Sequence, residues 1–180
     1  YRIKGGIGHS DWSADGMQPH LADKMLDYLD DNKNSNKPFF LYMALTAPHI
    51  PLFPSKEFKG KSRIGDYGDL VMMIDDIVGR VNRKLKEIGK YDDTIVMFAA
   101  DNGCAGYINM DKINRKGHYP SYIYRGYKSH GWEGGHRIPF ILSWGDRYGH
   151  VTDNSLVSLT DLYATFADML GYRTADDEAE

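Results

Sequence analysis

The sequence predicts an α/β fold, a mixed sheet flanked by helices. Three observations carry that reading. Short apolar runs at Phe39–Leu45, Thr94–Ala100 and Ile138–Trp144 have the length and β-branched or aromatic content of strands. The segment Tyr67–Ile88 repeats its apolar side chains with a helical period. Strands and helices alternate along the chain, which is how layered α/β domains are built. At 180 residues the chain is long enough to bury a core without a disulfide or structural metal.

Each element has a local cause. Residues 1–18 are rich in Gly, Ser and Asp and read as an irregular leader, with residues 19–172 the folded part and 173–180 an acidic tail. Pro19 suits a first helical position, and Leu21, Met25, Tyr28 and Leu29 share one face of a helix reaching about Asp31. A polar break, 32–38, precedes the first strand. Pro48, Pro51 and Pro54 then mark a long surface loop, and loops of that length are often functional. In the long helix Leu70, Val71, Ile74, Ile77, Val78, Val81, Leu85 and Ile88 form the apolar stripe. Asp69, Asp75, Arg80, Lys84 and Lys86 form the polar side, and Gly89 is the stop. Asp92 and Asp93 make a turn into the second strand, which ends at Asp101-Asn102-Gly103. Residues 106–127 show no period. Ser158, with Asp161 three residues on, can cap a last helix that Gly171 ends.

Composition removes several function classes. No run nears the ~18 apolar residues of a membrane-spanning helix. One cysteine permits no intrachain disulfide framework and no Cys-rich zinc site. A net charge of −3, with no long Lys/Arg block, argues against general nucleic-acid binding. The sequence from Tyr1 carries no targeting pattern, so the compartment is not written in it.

Three loops hold residues suited to chemistry. Asp101 and Asn102 lie at the carboxyl end of an apolar strand, where open α/β sheets place ligands. Their oxygens are hard donors suited to Ca²⁺ or Mg²⁺, and Gly103 lets the chain turn. Taken alone, Asp-Asn-Gly is also ordinary turn chemistry. His49 stands between Pro48 and Pro51, which limit its backbone freedom. A held imidazole can donate a proton or bind an anion, and equally can serve a structural hydrogen bond. Lys128 lies in a basic loop before Glu133-Gly134-Gly135 and could be a point charge for an oxyanion, or a solvated cation. Cys104 has no cation or histidine near it in sequence to activate it and reads as a small packing residue. The Gly5–Gly8 run lacks a preceding strand and makes a poor phosphate loop. Asp75/Asp76, Asp92/Asp93, Met72/Met73 and the tyrosines from Tyr119 to Tyr127 read as surface, turn and packing.

The order of these pieces is more specific than any one of them. Pro38 to Leu45, Ala47-Pro48-His49-Ile50-Pro51, Tyr67 with Asp75 and Val78-Gly79-Arg80-Val81, Thr94 to Gly103, Lys128, Glu133-Gly134-Gly135 and Arg137 to Ile141 follow one another. Over about Pro19 to Tyr172 this resembles the formylglycine-dependent sulfatases of the alkaline-phosphatase superfamily, specifically the carboxyl-terminal half of their catalytic domain. The closing run Leu156–Gly171 resembles the helix that follows in that family. The resemblance implies an alkaline-phosphatase-like fold and Ca²⁺-dependent sulfate-ester hydrolysis. It implies Asp101 and Asn102 as Ca²⁺ ligands, with Asp101 also near the nucleophile. It implies His49 and Lys128 as contacts to the sulfate group and ester oxygen.

The family's nucleophile is a formylglycine made from Cys or Ser in a Cys/Ser-x-Pro-x-Arg motif, and no such motif occurs in this sequence. The family's early Asp pair and mid-chain Lys and His are also absent. The expectation is therefore a sulfatase as a longer protein and no activity from this chain alone. The expected partner is a sulfated small molecule or sulfated glycan, with self-association through a cut sheet, and the family's compartments are periplasmic, secreted or lysosomal. The alternatives are a phosphodiesterase or phosphonate hydrolase of the same superfamily, and a non-catalytic paralogue that binds sulfated glycans.

Overall fold

The computed structural model describes residue 10 and residues 12–172. The Gly5–Gly8 run, most of the expected leader and the acidic tail lie outside the described residues. The chain divides into two compact units, one ending at Arg147 and one beginning at Tyr148. The first contains α1 (Met17–Asp31), α2 (Asp66–Glu87), β1 (Ile95–Ala99), α3 (Met110–Asn114), α4 (Glu133–His136) and β2 (Phe140–Trp144). Single 3₁₀ turns at Tyr91–Asp93 and Gly106–Ile108 stand before and after β1. The second contains α5 (Asp161–Met169).

The core of the first unit forms between α1 and α2. Ala22 and Met25 of α1 meet Leu70, Met73 and Ile77 of α2, with Phe58 closing one side. Leu29 and Leu85 are also fully buried. Each such side chain stabilises the fold by about 1.5–3 kcal/mol through its removal from water. Arg80 of α2 reaches Asp23 of α1 at 2.6 Å. That pair is partly exposed and adds about 1 kcal/mol at most.

The predicted α2 stripe is right except at one turn. Met73 is buried and Val71 is exposed, because the face centres on positions 70, 73, 74 and 77. Asp69, expected on the polar side, is completely buried. Its carboxylate accepts from the backbone N–H of Gly60 (2.7 Å) and of Ser62 (2.6 Å). A charge can be buried when such bonds satisfy it. Asp69 thereby ties the 47–65 loop to α2, and that loop supplies Phe58 to the core instead of lying wholly on the surface.

Both predicted glycine stops are Schellman caps. At the end of α2, Gly89 has φ 69°, with Gly89 N–H bonded to Lys86 O (3.1 Å) and Lys90 N–H to Leu85 O (2.9 Å). At the end of α5, Gly171 N–H donates to Asp168 O (2.9 Å) and Tyr172 N–H to Ala167 O (2.7 Å). At the start of α5 the N-cap is Thr160 and not the expected Ser158, and no side chain caps it; Ser158 N–H donates to the Asp161 carboxylate (2.7 Å) one turn earlier.

The sheet corrects the sequence reading. Two of the three predicted strands pair, β1 antiparallel to β2, with Ile95 opposite Trp144 and Ala99 opposite Phe140. The third run, Phe39–Leu45, forms no regular element and joins no ladder among the described residues, and within it Leu45 N–H turns back to Met43 O (3.1 Å). It keeps the two-sided character of a strand. Met43, Leu45 and Ala47 pack on the helical core, whereas Phe40 and Tyr42 are 73% and 80% exposed. A strand needs a neighbour to take its N–H and C=O groups, and no described segment offers that edge. β2 is an apolar run, yet Phe140, Ile141 and Leu142 are exposed. Apolar residues on both faces of a run read as cover on both faces, and among the described residues that cover is incomplete. The buried face of α2 correspondingly meets α1 and the 43–47 stretch, not the sheet.

Candidate functional site

The candidate site is built where the loop after β1 meets the loop before β2. Two backbone hydrogen bonds join the two, and a third braces the second loop. Gly103 N–H donates to Gly135 O (2.9 Å), Lys128 N–H to Cys104 O (2.8 Å), and Gly134 N–H to Arg125 O (2.9 Å). The contact leaves no room for side chains. A Cβ on Gly103 would meet the carbonyl of Gly134, one on Gly134 the carbonyl of Gly126, and one on Gly135 the carbonyl of His130. Gly103 was expected to serve the turn. It lies outside the left-handed region, and its role is close backbone approach. The Gly134-Gly135 pair likewise forms a one-turn helix, α4, instead of a loose turn.

This clamp brings Asp101, Asn102 and Lys128 into one neighbourhood. Asp101 is exposed, and its carboxylate has no hydrogen bond or ion pair among the described residues. Asn102 is half-buried, and its Nδ2 donates to Gly103 O (3.2 Å), which leaves its Oδ1 uncommitted. The basic side chains of the neighbouring loop differ in their partners. Arg125 stacks on Trp132 at 3.9 Å. Arg137 covers Tyr124 at 4.7 Å and pairs with Glu133 at 3.1 Å. Lys128 is half-buried and has no acidic or aromatic partner among the described residues. It is therefore the cation of this loop best placed to meet an anion.

His49 comes to the same region by another route. The peptide bonds Ala47-Pro48 and Ile50-Pro51 on either side of it are both cis. Its Nδ1 lies 2.7 Å from Ile50 O, so Nδ1–H donates there and Nε2 is the ring atom left for chemistry. The imidazole meets the Tyr107 ring edge to face, centroids 5.6 Å apart. Tyr107 and Lys128 in turn line one open hollow of about 350 Å³. That hollow is not lined by His49, Asp101 or Asn102. Asp101, Asn102 and Lys128 thus share a pair of clamped loops, Tyr107 links them to His49 on a third loop, and no one enclosed pocket holds all four.

Cys104 is half-buried, and burial pushes its thiol up, with the Ser121 hydroxyl opposing. A thiol held in that way is a poor nucleophile, in agreement with the packing role read from the sequence. Tyr67, at the start of α2, has its phenol pushed up to about 12, chiefly by burial and next by the nearby Cys104. Lys116 Nζ also bonds Arg63 O (2.7 Å), so the 106–127 segment is anchored on the α2 side.

For Ca²⁺, Asp101 and Asn102 are right in kind. They are two of the ~6–8 oxygen ligands that the ion takes, and no group of three or more His, Cys, Asp or Glu suited to a metal occurs among the described residues. They fit as contributors to a shared site and not as a complete one. Sequence reasoning passed over Tyr107, Tyr127 and His130, whose aromatic character carried no period and so no signal of a shared location.

Fold and site together define an α/β protein with hard oxygen donors at a strand end beside a loop cation. Its sequence matches the Sulfatase family over residues 10–172. It is 32% identical over 171 residues to an N-acetylgalactosamine-6-O-sulfatase of Bacteroides thetaiotaomicron, covering 93% of this chain and 33% of that protein. It is 36% identical over 156 residues to an arylsulfatase of Hemicentrotus pulcherrimus, covering 87% of this chain and 27% of that protein. A solved structure from work on the metabolism of multiple glycosaminoglycans by Bacteroides thetaiotaomicron superposes with a TM-score of 0.85 at 31% identity, over 93% of this chain and 35% of that one. The chain belongs to the sulfatase family, and its fold is the alkaline-phosphatase-like α/β fold. It spans about a third or less of the length of these curated relatives, 33% and 27%. No described helix is long and apolar enough to cross a membrane.

Proposed function

We propose that this chain forms part of the catalytic centre of a sulfate-ester hydrolase and supplies its sulfate-contacting and some of its metal-binding side chains. The observation that carries the reading is the Lys128 N–H to Cys104 O bond, because it sets Lys128, which has no acidic or aromatic partner among the described residues, against the loop that carries Asp101 and Asn102. In ester hydrolysis the S–O bond to the leaving oxygen breaks, and negative charge grows on that oxygen and on the peripheral sulfuryl oxygens. The Lys128 ammonium would lie against those oxygens. His49, protonated at Nε2, would give that proton to the leaving oxygen. Asp101 and Asn102 would each give one oxygen to a Ca²⁺ ion, which when bound supplies further positive charge at the sulfate. Asp101 would also stand near the nucleophile, which the sequence of this chain does not contain.

The test separates binding from turnover. The chain should bind inorganic sulfate, and Lys128→Ala should weaken that binding by about fivefold or more, measured by isothermal titration. The chain should release no nitrophenol from a nitrophenyl sulfate. Sulfate affinity indifferent to Lys128→Ala would overturn the assigned role. Turnover proportional to protein and abolished by Asp101→Ala would overturn the expectation of inactivity. We further propose that the outward Phe40, Tyr42 and Ile141 let the isolated chain self-associate. Light scattering should give a mass that rises with concentration, and a constant monomer mass would refute this.

A further inference from the structure

A second hollow adjoins Tyr127. The Lys128 hollow and this one, of about 300 Å³, share Tyr127 as a common wall. The second is lined by Tyr119, Tyr122, Tyr124 and Tyr127 together with Asp111 and Asn114. Tyr127 itself is held in place. A Cβ on Gly106 would stand 2.6 Å from its ring, and the His130 ring lies 4.1 Å away by centroids. Tyr127 is therefore a fixed residue common to both hollows.

The chemistry of the two hollows differs. The first is lined by Lys128. The second has no cation in its lining and carries the Asp111 carboxylate, which has no hydrogen-bond or ion-pair partner among the described residues. A second sulfate group would be repelled there. A neutral ring with hydroxyls would be accepted, because aromatic faces cover its C–H surfaces while a carboxylate and an amide take its O–H groups. The tyrosines are presented for such contact. Tyr119 and Tyr122 are 60% and 70% exposed, and Tyr122 meets Tyr124 edge to face at 5.9 Å. Tyr122 also holds φ 51°, a left-handed conformation that a bulky residue rarely takes and that recurs at ligand-contact positions. The turn bonds Tyr122 N–H to Tyr119 O (2.8 Å) and Tyr124 N–H to Ser121 O (3.0 Å) maintain it.

We propose that the Tyr119–Tyr122–Tyr124 hollow is a sugar subsite that holds the unsulfated ring next to the sulfated one, so that the substrate is a sulfated oligosaccharide and not an isolated sulfate ester. The proposal rests on the reading that the sulfate sits at Lys128.

The probes are galactose 6-sulfate, lactose sulfated at O6 of its galactose, and unsulfated lactose, titrated into the full chain. The sulfated lactose should bind about fivefold or more tightly than galactose 6-sulfate. Tyr122→Ala and Tyr122→Gly should remove that advantage and leave galactose 6-sulfate binding unchanged, and Tyr122→Phe should retain it. The glycine variant keeps the left-handed backbone without strain, so a loss common to Ala and Gly reports the ring and not the fold. Lys128→Ala should weaken both sulfated sugars alike. Equal affinities for the two sulfated sugars, or a Tyr122→Ala loss shared by galactose 6-sulfate, would overturn the subsite alone. A Tyr122-dependent advantage that survives while Lys128→Ala changes nothing would overturn the sulfate placement and keep a sugar site. No binding of either sulfated sugar at millimolar concentration would overturn both.

Discussion

The α1–α2 pair and the clamp between the 101–104 and 125–135 segments are held by opposite means. The helical pair is held by what its side chains fill. Ala22, Leu29, Leu70, Met73, Ile77 and Leu85 are almost wholly removed from water. The clamp is held by what its side chains lack. Gly103, Gly134 and Gly135 let backbones meet, two N–H···O bonds close the contact, and a third braces the 125–135 segment. The first arrangement repeats along the chain with a period, and the second leaves only scattered glycines. The difference matters for function, because the clamp and not the core sets the Lys128 backbone against Cys104, two residues beyond Asn102.

Substitutions in each region should break it in its own way. Ile77→Ala removes a fully buried side chain from the helical pair and should cost about 3 kcal/mol of stability. Urea unfolding followed by circular dichroism should show the lower midpoint with an unchanged slope. A cost below about 1 kcal/mol would mean that the pair is not the stabilising centre of the unit.

Gly135→Ala should cost less overall, about 1–3 kcal/mol, and in one place. Its new Cβ would press on the carbonyls of His130 and Tyr127. Amide exchange should quicken at Gly103 and Lys128 and stay slow in α1 and α2. Equal quickening everywhere would show that clamp and core unfold as one body, and the contrast between them would fail.

The smallest effect concerns Tyr67, which stands where α2 adjoins the clamp. Its folded-state value of about 12 lies above the ordinary 10, so folding favours the neutral phenol. Its contribution is whole below about pH 10 and declines as pH rises through about 12, because the unfolded chain then loses the proton first. Tyr67→Phe should remove that decline, read as the difference between the two proteins' unfolding midpoints from pH 9 to 12. Parallel pH profiles would show that Tyr67 is not desolvated at the clamp.

Much of the framework was legible. The α2 period marked its span to within one residue at either end, and Gly89 and Gly171 marked the stops through Schellman caps that depend on a local glycine. β1 and β2 were found from their apolar runs. The same signal misled at Phe39–Leu45, because a run can have strand character and still have no neighbour to pair with. Asp69 was misassigned because a carboxylate on a helix reads as solvated until a loop, remote in pairing though near in sequence, presents two N–H groups to it.

The site shows the same division. Order and spacing around His49, Asp101, Asn102 and Lys128 were enough to point to the sulfatase family, which the match over residues 10–172 bears out. The tyrosines from Tyr119 to Tyr127 read as packing, and several of them stand exposed around a hollow. Local chemistry is written in short stretches of sequence: a period buries a face, a glycine ends a helix, an apolar run extends. Tertiary structure alone decided that Gly103, Gly134 and Gly135 meet, that Lys128 has no acidic or aromatic partner among the described residues where Arg125 and Arg137 have theirs, and that Tyr127 lines two hollows. Those facts depend on contacts between segments about 20–30 positions apart, and each requires loop closure before any energy returns, so no single stretch of sequence can hold them.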